Sequence, residues 1–226
     1  MKFFSYLFKN FTKLITLNFL NLLVFVPYAF FMVAIKAELG IPVGFGYIFD
    51  IFSMLLYSLV GIAPLSLGTI GVSALLAKDE PAFPLVDFKD FIKKNLKQGI
   101  IMLAVNIIIF YFFTVGYKFY FSGNESPMVY LYVIILFLYL TLHIFAGYIT
   151  ITYKLSIPHI YKKALIFALL NLPQNILLLA GIAVIYALTF FISTLLGYIF
   201  SGFIVNSLVS LLITCYAYKT IEKYSS

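Results

Sequence analysis

The sequence predicts an all-α membrane protein with six spans, arranged as three hairpins that are each preceded by a short amphipathic helix, here called an elbow. Three observations support this prediction. Hydrophobic residues make up 64% of the 226 residues and charged residues 10%, with a mean hydropathy of +1.09. A water-soluble domain needs far more charge to cover its surface. The apolar residues also form runs of the length that a bilayer requires, about 20 residues, and lysines stand between the runs.

The clearest elbow is PLVDFKDFIKKNLKQG, residues 84–99. Counted as a helix opened by Asp87, it separates an apolar face from a basic face. Asp87 is explained by N-capping and Asp90 by an i,i+4 pair with Lys94. We expect this helix to lie flat on the membrane surface and to turn into a span at 99–121. The apolar face contains Phe88, Phe91, Ile92 and Leu96, and the basic face contains Lys89, Lys93, Lys94 and Lys97.

The first two spans are expected at 14–35 and at about 45–77. The first follows an amphipathic segment at 1–13 and is too long for the core of a cleaved signal peptide, so we interpret it as a retained span. The second exceeds the length that a bilayer requires. Pro64 removes a backbone donor inside it, close to several glycines, and therefore predicts a kink or a broken helix.

The remaining spans are expected at 128–152, 174–196 and 197–218. Ser156 and Pro158 are typical of a helix start and predict a further elbow before the fifth span. Pro173 marks the entry to that span. Almost no loop is left between the fifth and sixth spans.

A weak internal repeat supports the same count. Displacing the sequence by 85 residues lays Lys9 on Lys94 and Asn21 on Asn106, and a further shift of 69 lays Asn175 on Asn106. Each unit would therefore carry one asparagine in its leading span. We interpret the chain as one membrane domain, 1–226, with units at about 1–77, 84–152 and 156–218.

The lysines predict the orientation. Only Lys36 and Lys118 fall on one side of the predicted bilayer, and the positive-inside rule makes that side the outer one. Both termini and the elbows are then cytoplasmic, in a bacterial inner membrane. The lysines of the opposite side are Lys2, Lys9, Lys13, Lys78, Lys89, Lys93, Lys94, Lys97, Lys154, Lys162, Lys163, Lys219 and Lys223.

Polar residues inside the predicted spans are the candidate functional residues. Asn21, Asn106 and Asn175 would lie at similar depth and form an intramembrane polar layer with His143. Such asparagines either lock helices together, at about 0.6–2 kcal/mol for each hydrogen bond, or line a polar cavity. His143 is either a packing histidine or part of a proton relay. Asp50 lies near the outer end of its span, where we expect its carboxylate to reach interfacial water.

Several classes of function find no support in the sequence. The net charge of +7 comes from lysines between apolar runs, which topology explains better than nucleic-acid binding does. No HExxH, P-loop or GxGxxG pattern is present. Cys215 is the single cysteine, so a cysteine metal cluster and an internal disulfide are excluded. We expect no cofactor, no metal ion and no catalytic residue.

Three segments resemble the YesL-type family, a family of bacterial membrane proteins of unknown function. They are TLNFLNLLVF at 16–25, VDFKDFIKKNLKQGIIM at 86–102 and GFIVNSLVSLLITCYAYKTIEKY at 202–224. The resemblance implies an elbow rich in phenylalanine and lysine, and a last span that holds an asparagine. It also implies an accessory role beside carbohydrate uptake systems. The stretch between the first span and the elbow at 84–99 is longer here than in the family.

The sequence therefore favours a non-enzymatic accessory or scaffold protein that docks a transporter or another membrane protein. Anionic lipid headgroups are the expected ligands of Lys89, Lys93, Lys94 and Lys97. A transporter or permease is the alternative, with a substrate path around Pro64 and the polar layer. A membrane enzyme acting on lipids is a third hypothesis, but it would require clustered carboxylates or histidines, which the sequence lacks.

Overall fold

The structure, a computed structural model, describes residues 9–38, 43–59, 63–121, 128–191 and 193–225. The predicted turn at 122–127 and most of the segment 1–13 lie outside these ranges. The chain is all-helical, with 92% helix. A π-helical turn, Ser201–Val205, joins the last two of nine described α-helices. These helices are α1 (Phe11–Glu38), α2 (Val43–Leu59), α3 (Ala63–Ala77), α4 (Pro84–Phe121), α5 (Met128–Thr152), α6 (Ile157–Leu170), α7 (Leu172–Phe190), α8 (Thr194–Phe200) and α9 (Asn206–Ser225).

Within the described ranges, three helices are long and apolar enough to cross a membrane. They are Tyr130–Thr152, Leu172–Phe190 and Leu195–Tyr224. The bent pair Ser53–Leu59 and Ala63–Ala77 makes a fourth if it forms one span. The all-helical, membrane-embedded class is therefore confirmed, while six spans in three elbow-and-hairpin units remain a prediction.

The helix break predicted at Pro64 is present. Helix α2 ends at Leu59, α3 begins at Ala63, and the two helices are bent by 69°. Pro64 is the second residue of α3, a position where its missing N–H leaves no helical hydrogen bond unmade. Helix α4 passes close to this point, because a Cβ added at Gly99 would lie 2.9 Å from the Pro64 Cα.

Helix α4 differs from the predicted elbow in three ways. It begins at Pro84, ahead of Asp87, and the Asp87 carboxylate accepts a hydrogen bond from the Phe83 N–H at 2.6 Å. It continues without a break for 38 residues, about 57 Å at 1.5 Å per residue, so the turn expected at Gly99 does not interrupt it. The expected pair between Asp90 and Lys94 is absent, since neither side chain has an ion-pair partner among the described residues.

The apolar face of α4 packs against α3. Gly68 and Gly71 let the two helices approach closely, since a Cβ at Gly68 would lie 2.8 Å from the Phe88 ring and one at Gly71 would overlap the Phe91 ring. Phe88 is buried and Leu96 is 46% exposed. Helix α3 therefore covers part of this face, and the position of the helix at a membrane surface stays a prediction.

The C-terminal helices largely follow the predicted pattern. Helix α6 begins directly after Ser156, with Pro158 in its first turn. Helix α7 ends at Phe190, earlier than the predicted 196, and the chain restarts at Ser193, whose hydroxyl accepts from the Leu196 N–H at 3.1 Å. Ser193 is a favoured capping residue for α8, which explains why the boundary lies there.

Helix α5 lies in the middle of the main hydrophobic core. Its residues Ile144, Phe145 and Ile149 are fully buried. Buried side chains of the eight other described α-helices belong to the same cluster. A second, smaller cluster joins α1, α3, the start of α4 and α9 through Leu17, Val72 and their neighbours.

Candidate functional site

Four lysines of α4 form an exposed basic surface, here called the lysine face: Lys89, Lys93, Lys94 and Lys97. All four side chains are exposed. None of them has an ion-pair partner among the described residues. The opposite side of the same helical turns is covered by α3. The lysine face is therefore open to a polar or anionic partner, as the sequence predicts.

Asn21 links α1 to α3. Its Oδ1 accepts a hydrogen bond from the Thr69 hydroxyl at 2.8 Å. Both residues are buried, and a hydrogen bond between buried side chains is stabilising because water is not there to replace it.

Asn106 and His143 meet between α4 and α5. Asn106 Oδ1 lies 2.8 Å from the Tyr139 hydroxyl, which donates to it, and 3.1 Å from His143 Nε2. His143 Nδ1 lies 2.9 Å from the Tyr139 carbonyl oxygen, which can only accept, so Nδ1 carries a proton.

The protonation of His143 depends on the orientation of the Asn106 amide. With Oδ1 toward the ring, both ring nitrogens face acceptors and the ring must be an imidazolium. With the amide reversed, Nδ2 donates to Nε2 and the ring is neutral. As placed, Asn106 Nδ2 is buried without a partner among the described residues, which favours the reversed amide and a neutral, packed histidine.

Asn175 forms a separate connection. Its Nδ2 donates to the Ala168 carbonyl at 2.9 Å and its Oδ1 accepts from the Tyr216 hydroxyl at 2.7 Å. Helix α7 is thereby joined to α6 and α9. No hydrogen bond among the described residues connects Asn175 with Asn21 or Asn106, so the polar layer is three separate interhelical contacts rather than one ring. The locking interpretation is favoured for Asn106 and Asn175, whereas Asn21 both joins two helices and lines a cavity.

Asn18 makes a contact that the sequence analysis missed. Its Nδ2 donates to the Ile204 carbonyl at 2.8 Å, and its Oδ1 accepts from the Ser207 N–H at 2.9 Å. The π-helical turn between α8 and α9 shifts backbone bonding to five residues, with the Asn206 N–H donating to the Ser201 carbonyl. A side-chain amide has an N–H donor and a carbonyl acceptor, as a peptide group does. Asn18 can therefore bond to both a backbone carbonyl and a backbone N–H at this turn. The available signal was its spacing of three residues from Asn21, which places both on one face of α1.

Asp50 is fully buried, which contradicts the expectation of interfacial water. The Tyr198 hydroxyl donates to its Oδ1 at 3.1 Å, and the Ser53 hydroxyl donates to its backbone carbonyl at 2.8 Å. Tyr198 belongs to α8, a helix distant in the sequence that covers this part of α2. The position of Asp50 along its own span could not reveal that cover.

Two neighbouring small cavities with mixed polar and apolar linings lie between the described helices. The larger has a volume of about 30 Å³ and lies between α1, α2, α3 and α9, at the α2–α3 break. The smaller, about 10 Å³, reaches His143 and shares Ser58, Ile70 and Ser210 with the larger. The polar residues of the larger cavity are Asn21, Tyr57, Ser58, Ser66, Thr69, Asn206 and Ser210.

The chemistry of this interior is that of neutral hydrogen-bonding groups. Within the described ranges, no three His, Cys, Asp or Glu side chains lie close enough together to hold a metal ion. Hydroxyl and amide groups instead dominate the polar contacts between helices. Comparison with known proteins finds no family model, no curated protein and no solved structure that matches this chain.

Proposed function

We propose that the protein is a non-enzymatic accessory protein of a bacterial inner membrane that docks membrane partners through the lysine face. The proposal rests on the different environments of the two sides of α4 in its first turns. The apolar side chains pack on α3, and four lysines without ion-pair partners in the described residues face outward. A surface with this charge is suited to anionic lipid headgroups, or to an acidic surface of a transporter that lies among them.

The proposal includes six spans with both termini in the cytoplasm. Helix α1 has 28 residues and would be about 42 Å long, more than the roughly 30 Å of a hydrocarbon core. The part of α4 after Gly99, residues 100–121, would be about 33 Å long, which is also enough to cross. The bent α2–α3 pair would supply the second span. With the three apolar helices at the C-terminal end, the count reaches six. The lysine distribution supports a cytoplasmic position for the start of α4.

Apolar residues beside the lysine face favour a lipid surface as its neighbour. Phe83, Leu85 and Val86, at the start of α4, are each more than half exposed. Exposed apolar side chains next to lysines are typical of protein surfaces that enter the headgroup region. Each basic residue near an anionic surface contributes about 1 kcal/mol. The resemblance to YesL-type proteins agrees with an accessory role and points to carbohydrate uptake systems as partners.

The test compares anionic with zwitterionic lipid. The purified full chain is titrated in mixed micelles with phosphatidylglycerol or phosphatidylcholine, and thermal unfolding is followed. We expect phosphatidylglycerol to stabilise the native chain more strongly, and the excess to disappear when the four lysines are exchanged for glutamine. The matched control, with arginine at the same positions, should keep the excess. Equal stabilisation of the glutamine and native chains by phosphatidylglycerol would reject the lysine face as a headgroup site.

A permease is the second candidate function, and one observation favours it. The larger cavity lies at the α2–α3 break. It shares lining residues with the smaller cavity, which reaches His143. Broken helices beside a polar cavity are a common construction of transporter binding sites. Solute flux into liposomes that contain the protein tests this candidate, because a purely accessory protein would leave flux at the level of protein-free liposomes.

A further inference from the structure

Asn206 leaves a polar group without a partner beside the larger cavity. The residue is 4% exposed and lines the cavity. Its Oδ1 lies 2.8 Å from the Tyr186 hydroxyl. Its Nδ2 is buried and has no partner among the described residues. A buried amide atom without a partner is destabilising, so a ligand that bonds to it has a physical reason to be there.

Counting protons shows which atom of Asn206 is free. Ser58 Oγ lies within hydrogen-bonding distance of the Met54 carbonyl and of the Tyr186 hydroxyl, which in turn contacts Asn206. The two hydroxyls supply two protons for these three contacts. Reversing the Asn206 amide supplies the third, because Nδ2 then donates to Tyr186, Tyr186 to Ser58 and Ser58 to Met54. Amide orientation is assigned from such networks, and the free atom is then Oδ1, an acceptor.

Two donors complete the lining. Tyr57 and Asn21 also line the cavity, and each carries a donor, the Tyr57 hydroxyl and Asn21 Nδ2. None of the described residues in this lining is charged. One acceptor and two donors match a hydroxyl oxygen, which donates one proton and accepts two. An anion would find no positive charge there, and a metal ion no carboxylate.

We propose that the larger cavity is a binding site for a neutral hydroxyl group, supplied either by water or by a small alcohol. A volume of about 30 Å³ has room for about two water molecules, since one needs about 10–15 Å³. The site joins the end of α2, through Ser58, to the beginning of α3, through Ser66. It goes beyond the lysine face, and only its alcohol form depends on the second candidate function, the permease.

The experiment measures contact between water and individual amides. The full chain is labelled with ¹⁵N-asparagine in micelles, and magnetisation transfer from water to the side-chain amides is recorded. We expect transfer to Asn21, whose Nδ2 is a donor at the cavity, and none to Asn175, whose amide donates to a carbonyl in a fully buried position. The Asn21→Gln variant identifies the Asn21 signal by removing it from the spectrum. An Asn21 amide as protected from water as that of Asn175 would overturn the proposal.

A second arm separates the two sources of the hydroxyl. Perdeuterated methanol, an alcohol of two heavy atoms that suits a volume of about two water molecules, is added in steps to the labelled protein. A saturable shift of the Asn21 signal identifies a solute hydroxyl as the ligand, and water transfer without a shift identifies water alone. The Asn21→Gln variant leaves the lysine face unchanged. A negative result for the hydroxyl site therefore says nothing about the lipid titration, and a negative lipid titration says nothing about the hydroxyl site.

Discussion

Helix α3 uses a different chemistry on each of its two sides. Toward α4 it presents Gly68 and Gly71, and aromatic rings occupy the space that side chains would fill. Toward α1 and α9 it presents hydroxyls, with Thr69 bonded to Asn21 and Ser73 Oγ 3.4 Å from the Ser210 hydroxyl. The first interface depends on shape and the second on hydrogen-bond partners.

The difference determines how each interface should respond to mutation. Close packing has no tolerance for added volume, because neighbouring rings must move. Interhelical hydrogen bonds in a membrane are worth about 0.6 kcal/mol on average, since the separated helices also find partners. We therefore expect added volume on the glycine side to destabilise the protein more than the loss of a single hydrogen bond between side chains. Loss of a side-chain amide that bonds to the backbone should have an intermediate effect.

The largest effect is expected for Gly71→Val. The new side chain overlaps the Phe91 ring, and displacing α4 should cost about 3 kcal/mol. The measurement is the temperature at which Cys215, the single cysteine, becomes reactive toward a maleimide dye. Gly181→Ala is the control, since nothing lies within 4 Å of a Cβ there, and it should leave the transition unchanged or slightly higher. Equal transitions for the two variants would refute a shape-dependent interface.

The next effect is expected for Asn18→Leu. The change leaves the Ile204 carbonyl and the Ser207 N–H without their side-chain partner, at a cost of about 2 kcal/mol. Asn95→Leu is the control, because among the described residues the Asn95 amide donates only to the Phe91 carbonyl of its own helix, at 2.9 Å. The same dye assay should show a clear loss for the first variant and a change below about 0.5 kcal/mol for the second. A similar loss in both would mean that the π-helical turn does not need Asn18.

A smaller effect is the coupling between Asn106 and His143. In a double-mutant cycle with leucine at each position, we expect an interaction energy of about 1 kcal/mol, the range seen for polar contacts in membranes. The matched cycle pairs Asn106 with Asn175, which shares no partner with it, and should give an interaction near zero. If the two cycles give equal values, the contact between Asn106 and His143 is not a specific one.

The smallest effect on stability is expected at the lysine face. Exchanging Lys89, Lys93, Lys94 and Lys97 for glutamine should change the unfolding free energy by less than about 0.5 kcal/mol in neutral detergent, because exposed side chains without ion pairs contribute little. The lipid preference described above should change nevertheless. A loss above about 1 kcal/mol in neutral detergent would show that these lysines support the fold rather than a partner surface.

The sequence predicted what depends on composition and on local backbone chemistry. Hydropathy predicted the helical membrane class, Pro64 predicted the break between α2 and α3, and Ser156 with Pro158 predicted the start of α6. Each of these follows from residues within a few positions of the feature. The exposed lysine face was predicted for the same reason, since helical periodicity alone separates it from the phenylalanines.

Features that depend on distant contacts could not be predicted in this way. Asp50 is buried because α8 packs over it, and Phe88 is buried because α3 packs against it. Periodicity shows that a face is apolar but not whether lipid or protein covers it. The three asparagines were correctly placed inside the bundle, yet their partners, Thr69, His143 and Tyr216, lie on helices that a weak repeat cannot align.

The π-helical turn has a consequence for the register of the C-terminal helix. One extra residue in a turn rotates everything after it by roughly 100° relative to an uninterrupted α-helix. That rotation directs Asn206, Ser207 and Ser210 inward, where all three are buried. A single-residue deletion within Ser201–Val205 would turn this polar stripe toward the lipid, although it would remove no polar group.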